Sequence, residues 1–290
     1  MEAVIEALLN GLVQGLIYVA IAVGLTIIFG TLRLVNFAHG AFYAIGAYVG
    51  LVVAQHVGFV PGLIAAPLAV AVFAVLLDRL VLQYFYEKTP TAQILVTFGI
   101  ALVVEETLRL IFGGTTQQFP TPAALQGAVS LGPIAYPAYR LVFAVGVLIM
   151  IGLVWLFLVR TNYGLVVRAG VRDRIMVQLL GGNIRQASTV VFALGAAVAG
   201  LVGAAASPIY SIDPSTGFLF LVPSFVVVVV GGLGSFWGAV LGGLLIGELQ
   251  SLTTLVYAPA ANVIIYICMA LVLLFRPQGL LGESEVIRQS

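Results

Sequence analysis

Very few side chains in this sequence of 290 residues could take part in chemistry, and the most polar pair beside an apolar segment is Asn36 and His39. Such a pair could line a pathway and form hydrogen bonds with a polar solute as it passes. Alternatively, Asn36 caps the helix that follows it, and His39 is satisfied by hydrogen bonds inside the protein. The residue types and their spacing leave both interpretations open.

Acidic side chains also occur inside apolar stretches, where a charge is costly unless it is paired or hydrated. Glu248 lies near the middle of one such stretch and is either a buried hydrogen-bonding residue or a proton carrier. Glu105 and Arg109 are four residues apart, which places them on one face of a helix, and Glu106 is adjacent. We interpret these three residues as a structural ion pair near the outer face, with an ion site as the alternative.

Signatures of enzymes are absent from the sequence. The two histidines, His39 and His56, are separated by 17 positions without a carboxylate between them, and Cys268 is the single cysteine. The glycine-rich segment 231–238 lacks the Lys-Ser/Thr pair of a phosphate-binding loop. We therefore predict no catalytic residue, no metal and no cofactor, and any energy for pumping must come from another polypeptide.

Composition identifies the elements that must position these residues. Hydrophobic residues make up 62% of the chain and charged residues 8%, whereas about a quarter of an average soluble domain is charged. The net charge of +1 says nothing about nucleic acid, but no basic run outside one loop could follow its phosphates, so no nucleic-acid partner is expected. We predict an all-α, polytopic integral membrane protein in which 1–290 form one transmembrane domain with eight or nine helices embedded in lipid. The predicted spans are 7–29, 37–55, 61–77, 92–112, 140–159, 186–206, 218–230, 236–257 and 260–275.

One loop, 160–185, contains five of the twelve Lys and Arg residues. Basic residues collect in short cytoplasmic loops, so this loop is predicted to be cytoplasmic, with the N-terminus outside and the C-terminus inside. Apolar residues recur every three to five positions over 167–181, which predicts one amphipathic helix ended by Gly181 and Gly182. Such a helix either rests on anionic lipid or docks on a soluble cytoplasmic partner.

Two glycine-containing interruptions, at 27–41 and 229–239, resemble each other. Paired interruptions in two halves indicate a transporter built from repeats, whose broken helices expose backbone groups to the solute. A chance similarity between glycine-rich membrane segments is the alternative. The candidate pathway residues are Asn36, His39, Gly40, Ser235 and Glu248.

Several short segments occur in a specific order along nearly the whole chain. They are Val35-Asn36-Phe37-Ala38-His39-Gly40, Gly46-Ala47-Tyr48, Arg168-Ala169 with Leu180-Gly181 and Asn183, Gly231-Gly232-Leu233-Gly234-Ser235-Phe236-Trp237-Gly238, and Phe275-Arg276-Pro277-Gln278-Gly279-Leu280. Together they closely resemble the inner-membrane permeases of bacterial branched-chain amino acid ABC importers, the LivH type. The chain departs from the family pattern at Met176, Val177 and Gln178, where alanines are usual, and at Gly182.

The resemblance implies a multi-pass protein of the bacterial inner membrane that works with several partners. These are a second, related permease, two cytoplasmic ATPase subunits, a periplasmic solute-binding protein and a small-molecule solute. The segment 168–181 would be the coupling helix that seats in a groove of the ATPase. The residues that the resemblance assigns to coupling are Arg168, Ala169, Arg172, Asp173, Arg174, Leu180 and Gly181.

We therefore predict a permease subunit of an ABC importer for branched-chain amino acids or related small polar solutes, with alternating access driven by separate ATPase subunits. It would not be an enzyme itself. One alternative is a secondary transporter driven by an ion gradient, with Glu248 or the pair Glu105 and Glu106 as its ion site. A passive channel for a small neutral solute is a further alternative.

Overall fold

The computed structural model describes residues 2–32, 34–132, 134–172 and 174–282. Within this part the fold is nearly all-α, as predicted, with one small β-hairpin. The helices are α1 (Glu2–Leu32), α2 (His39–His56), α3 (Phe59–Leu80), α4 (Pro90–Phe112), α5 (Ala138–Arg160), α6 (Asn162–Arg172), α7 (Arg174–Leu179), α8 (Ile184–Ala206), α9 (Thr216–Gly231), α10 (Phe236–Tyr257) and α11 (Ala261–Phe275). The hairpin strands are β1 (Ala128–Leu131) and β2 (Ile134–Pro137).

Five stretches of the described chain are long and apolar enough to cross a membrane. They are Glu2–Leu32, Phe59–Tyr84, Ala138–Arg160, Ile184–Ala206 and Phe236–Phe275, of which the last comprises α10 and α11. Helices α2, α4 and α9 coincide with predicted spans, but α2 and α9 are shorter and α4 contains three charged residues. The fold is therefore that of a multi-pass membrane protein, and the count of eight or nine spans stays a prediction.

Helix α1 lies at the centre of the bundle. Every residue from Gly15 to Ile28 is buried, and the helix contacts α5, α8, α9 and α10. Successive residues point in all directions around a helix, so a buried run of this length requires neighbours on every side. Helices α3, α4, α5 and α11 instead expose many large apolar side chains, as expected of helices that face lipid.

Glycines bring α1 and α10 into backbone contact. A Cβ atom added to Gly247 would lie 2.3 Å from the Cα of Gly15 and 2.6 Å from the carbonyl oxygen of Gly11. A Cβ atom added to Gly15 would lie 2.9 Å from the carbonyl oxygen of Gly243. Small residues on both helices therefore allow this close crossing, which the spacing of Gly11 and Gly15 suggests.

The connection between α4 and α5 is more ordered than its sequence indicates. Strands β1 and β2 pair antiparallel, with Ala128 opposite Pro137 and Leu131 opposite Ile134. Upstream, Gln117 forms a bridge with Ile212 in the connection between α8 and α9. Strands of four residues are too short to give a clear alternating pattern, and for this reason the sequence shows only an uncharged loop.

Candidate functional site

A polar cavity of about 640 Å³ opens at the end of the bundle where α1 begins. The topology predicted from the sequence places this end outside. Its walls come from the first half of α1, the first turn of α5, the second half of α10, the start of α11 and the connection between α8 and α9. The polar side chains that line it are Glu6, Asn10, Gln14, Arg140, Tyr210, Gln250, Ser251, Thr254 and Asn262.

Neutral side chains form one hydrogen-bonded wall of the polar cavity. The Gln14 amide donates to the Tyr18 hydroxyl over 2.7 Å, and that hydroxyl donates to the Gln250 side-chain oxygen over 2.7 Å. The Gln250 amide then donates to Asn262 over 3.1 Å, and the Tyr210 hydroxyl donates to Gln14. These bonds join α1, α10, α11 and the α8–α9 connection, and each residue in the chain retains further hydrogen-bonding capacity.

Arg140, in the first turn of α5, is the positive charge of the polar cavity. Its guanidinium donates to the Asn10 side-chain oxygen, which also accepts the Tyr136 hydroxyl over 3.0 Å. The guanidinium carbon lies 6.0 Å from the centre of the Tyr136 ring. Burial raises the pKa of Tyr136 above its ordinary value, so the phenol remains a donor. Within the described residues no carboxylate lies within 4.0 Å of Arg140, although Glu6 lines the same cavity.

Asn36 and His39 lie away from the polar cavity, in the packed centre of the bundle. His39 is fully buried, and its ring lies between α1 and α8. A Cβ atom added to Gly24 of α1 would lie 2.9 Å from the His39 ring and 2.8 Å from the backbone of Gly195 in α8. The His39 ring faces the backbone of Ile21 without reaching ordinary hydrogen-bonding geometry, so the interpretation that His39 is satisfied internally stays a prediction. Asn36 accepts a hydrogen bond from the Ala38 backbone over 3.0 Å, but the predicted capping role is wrong, because Ala38 is the N-cap residue of α2 and no side chain caps the helix.

The remaining pathway candidates have packing or capping contacts. Gly40 allows α2 to approach α9, since a Cβ atom there would lie 2.5 Å from the carbonyl oxygen of Gly217. Ser235 caps α10 by accepting from the Gly238 backbone over 3.1 Å. One buried oxygen of Glu248 has no hydrogen-bond partner and faces Gly11 of α1.

The predicted pathway residues do not form one site. Along α1, Gly11 meets Glu248, Gly24 meets His39, and Gly30 meets Gly234 beside Ser235. At about 1.5 Å per residue these three levels are separated by roughly 20 Å and 9 Å. Glu248 belongs to α10 and Gly234 to the turn before α10, whereas His39 belongs to α2.

Glu105, Glu106 and Arg109 form the ion pair that their spacing predicts. The Arg109 guanidinium lies 2.9 Å from Glu105 and 3.2 Å from Glu106, and its side chain is 47% exposed. Both acids therefore have a cation beside them already, and no group of three potential metal-ligating residues occurs in the described chain. These contacts supply no evidence for an ion-driven mechanism.

The basic loop is helical, but its bounds differ from the prediction of one helix over 167–181. Helix α6 starts earlier, at Asn162, and contains Arg168, Ala169 and Arg172. Helix α7 runs from Arg174 to Leu179, and Asp173 lies outside the described residues. The early start follows from Thr161, whose hydroxyl accepts from the Gly164 backbone over 3.1 Å, as a helix cap does.

The end of the basic loop presents apolar surface. Leu179 and Leu180 are 77% and 80% exposed, and Gly181 has a φ of +81°, consistent with its predicted role just past the helix end. On the other side of the loop, Val167 is buried in the main core. The loop is therefore anchored through α6 and exposed through the end of α7.

A fully buried carboxylate, Asp78, was missed by sequence reasoning. The sequence suggests that it marks a polar loop, but it lies in the last turns of α3. It accepts hydrogen bonds from Thr189 over 2.6 Å, from Gln83 over 3.1 Å and from Tyr86. Gln83 in turn accepts from Arg185 over 2.6 Å. We call these residues the Asp78 cluster, which fixes the first turns of α8 to α3.

Nothing in the local sequence marks Asp78 as buried. Its donors come from the following loop and from Thr189, more than a hundred positions later. A charged residue followed by polar residues at the end of an apolar run has the ordinary pattern of a membrane boundary. Only the packing of α8 against α3 closes the site.

Comparison with known proteins yields matches over most of the chain. The model of a family described as the permease component of branched-chain amino acid transport systems matches residues 7–274. The high-affinity branched-chain amino acid transport system permease protein BraD of Pseudomonas aeruginosa is 31% identical, over 97% of this chain and 97% of its own. The corresponding proteins LivH and LivM of Escherichia coli are 26% and 27% identical, over 97% and 93% of this chain and 96% and 69% of their own lengths.

Proposed function

We propose a transport function from one premise: this chain belongs to the family of permease components of branched-chain amino acid transport systems. Its role is that of the membrane-embedded permease subunit of an ABC importer for branched-chain amino acids or related small polar solutes. The family match over residues 7–274 carries this proposal, because it includes all of α2 to α10.

The same proposal includes partners that supply energy and solute. Similarity to both LivH and LivM of one organism supports pairing with a second, related permease. Two cytoplasmic ATPase subunits would provide the energy, and a periplasmic binding protein would deliver the solute. The location would be the bacterial inner membrane, with α2, α4 and α9 crossing it in addition to the five longer apolar stretches.

We assign contact with the ATPase to α6, α7 and the turn after them. Exposed apolar side chains outside the lipid are typical of interaction sites, and Leu179 and Leu180 are exposed at the end of α7. The adjoining start of α8 is fixed to α3 by the Asp78 cluster, so a displacement of α7 would be passed to the bundle. The residues in this role are Arg168, Ala169, Arg172, Asp173, Arg174, Leu180 and Gly181.

The decisive experiment reconstitutes the chain in liposomes with the partners encoded in neighbouring reading frames. ATP supplied on the ATPase side should drive accumulation of radiolabelled leucine only when the second permease, both ATPase subunits and the binding protein are present. Liposomes containing the chain alone, energised with a proton or sodium gradient, serve as the control. Accumulation in that control would contradict the proposal and favour a secondary transporter.

A charge introduced on the exposed end of α7 tests the coupling role. Leu180→Asp should lower the amount of ATPase that co-purifies by roughly tenfold, because it places a charge in an apolar contact. Leu180→Met keeps an apolar side chain of similar size and should leave the amount unchanged. Stoichiometric ATPase and full uptake in Leu180→Asp would remove this segment from the coupling surface.

A further inference from the structure

We propose that the polar cavity binds the carboxylate group of the transported solute through Arg140, an inference that rests on the proposed transport function. The cavity volume of about 640 Å³ falls in the range of roughly 300–1,000 Å³ that is typical of small-molecule sites. Its single arginine, neutral wall and rim acid together match an amino acid in its zwitterionic form. The proposal selects carboxylate-bearing solutes over neutral ones such as urea or simple amides.

The charge of Arg140 is open to an anionic ligand. In the described part of the chain its guanidinium interacts with neutral side chains, Asn10 and Tyr136, and no carboxylate lies within 4.0 Å. A guanidinium has five N–H donors arranged as a planar fork, which suits two parallel bonds to a carboxylate. In an apolar protein a half-buried cation without a counter-charge is costly, so an anionic ligand is favoured there.

Neutral side chains fix the orientation of the Arg140 guanidinium. Asn10 holds the guanidinium from one side, and its oxygen is itself fixed by the Tyr136 hydroxyl at 3.0 Å. Tyr136 is fully buried at the end of the hairpin, directly before α5. Arg140 is therefore held by neutral groups, which set its position without cancelling its charge. Such preorganisation reduces the ordering cost of ligand binding.

The polar cavity also offers partners for the rest of the solute. Glu6 lines the same cavity, is exposed, and is not within 4.0 Å of Arg140, so its carboxylate is available to an ammonium group. Gln250, Asn262 and Thr254 line the same cavity and offer neutral hydrogen-bonding groups. An amino acid carries a carboxylate and an ammonium group on one carbon, and this arrangement offers a partner for each.

The concave position of Arg140 favours a small solute over an acidic residue of the binding protein. Its side chain is half-buried and lines a cavity, whereas an arginine that docks a protein partner would project from the surface. Arg109 is the contrasting case, because its side chain is 47% exposed and already paired with two acids. It provides the matched control for the loss of an arginine.

The test uses the complete transporter in liposomes and measures three quantities: ATP-driven uptake of leucine, basal ATPase activity, and the affinity of the binding protein for the complex. Arg140→Gln should lower leucine uptake by about tenfold or more, since charge-assisted hydrogen bonds are lost. Basal ATPase activity reports whether the complex is assembled, and the affinity of the binding protein for the complex should not change. Arg140→Lys should retain part of the uptake with a raised KM, and Arg109→Gln should resemble the wild type.

A second variant tests the same cavity without removing the charge of Arg140. Thr254→Trp fills the polar cavity from an exposed position of α10 and should also lower leucine uptake by about tenfold, because the indole occupies the solute volume. Val256→Trp, on the same helix but 86% exposed and outside the cavity, is the control and should transport normally.

Three results separate the possible failures. If Arg140→Gln and Thr254→Trp both transport leucine within twofold of the wild type, the polar cavity is not a solute site. If Arg140→Gln loses affinity for the binding protein in parallel with uptake, Arg140 docks that protein, and the solute proposal is overturned. If the wild-type complex shows no ATP-driven leucine uptake, the proposed function fails before the cavity is tested.

Discussion

Asp78 and Arg140 are both charged side chains within an apolar helical protein, but their surroundings differ. The carboxylate of Asp78 is fully buried and accepts hydrogen bonds from three neutral donors on two parts of the chain. The guanidinium of Arg140 is half-buried, has neutral side chains as its partners, and faces a cavity of about 640 Å³.

The difference between these two sites distinguishes a charge with a structural role from a charge that can bind a ligand. The Asp78 carboxylate already accepts three hydrogen bonds from neutral donors, so its charge joins α3 to α8. Arg140 has N–H donors to spare and open volume beside them, which are the requirements of an anion site. Four predictions test this contrast, beginning with the largest effect.

Asp78→Ala should destabilise the protein by about 3 kcal/mol or more, because it removes the common acceptor of several buried donors. Thermal unfolding of the purified protein in detergent measures the change. Glu106→Ala is the control, since that side chain is 58% exposed and pairs only with Arg109. If the two variants unfolded at the same temperature, the Asp78 cluster would not hold α3 and α8 together.

Gly247→Ala should destabilise by about 1–3 kcal/mol, because the new methyl group meets the α1 backbone and forces the helices apart. A Cβ atom there lies 2.3 Å from backbone atoms of Gly15, whereas nothing lies within 4 Å of a Cβ atom on Gly152. Gly152→Ala in α5 should therefore unfold like the wild type. Since α1 and α10 also line the polar cavity, Gly247→Ala should reduce leucine uptake as well.

Asn10→Asp should lower ATP-driven leucine uptake by about tenfold, corresponding to roughly 1.4 kcal/mol, while the protein remains folded. The substitution gives Arg140 an internal counter-charge, so that it resembles a paired structural ion and no longer attracts the solute. Asn183→Asp is the control. It makes the same chemical change at the N-cap of α8, where asparagine and aspartate are equally good capping residues. Normal uptake by Asn10→Asp would mean that the charge of Arg140 has no part in transport.

Arg109→Gln should change the free energy of unfolding by less than about 1 kcal/mol, because exposed ion pairs contribute little. Raising the salt concentration should shrink this difference further, since screening weakens the pair in the wild type. Thermal unfolding at low and high salt provides the measurement. A large loss of stability that does not depend on salt would mean that Arg109, like Asp78, is a structural charge.

The bundle was predicted well because each of its helices carries its own signal. The bounds of α10, 236–257, agree with the sequence prediction, and those of α9 and α11 differ by no more than two residues. Long apolar runs interrupted by glycine, proline and charge are sufficient for this, since a span must satisfy its own backbone hydrogen bonds. The four-residue strands of the hairpin have no such signal and were missed.

The candidate site was predicted less well than the helices. Glu248 and His39 drew attention because they are polar residues in apolar segments, yet they lie at different levels of α1. Arg140 resembled an ordinary charge at the start of a span, and Asn10 and Gln14 were ordinary polar residues near a terminus. Their role depends on α5, α10 and α11 meeting α1 at one end, which no local pattern encodes.

The sequence by itself determined that the chain is a helical membrane protein, and its ordered motifs identified the family. These properties follow from local composition and from the cost of leaving backbone groups unpaired in lipid. Only the tertiary structure decided which charges are enclosed and which face open volume. That distinction arises from helices far apart in the chain, because a side chain acquires a partner or a cavity only when its neighbours are in place.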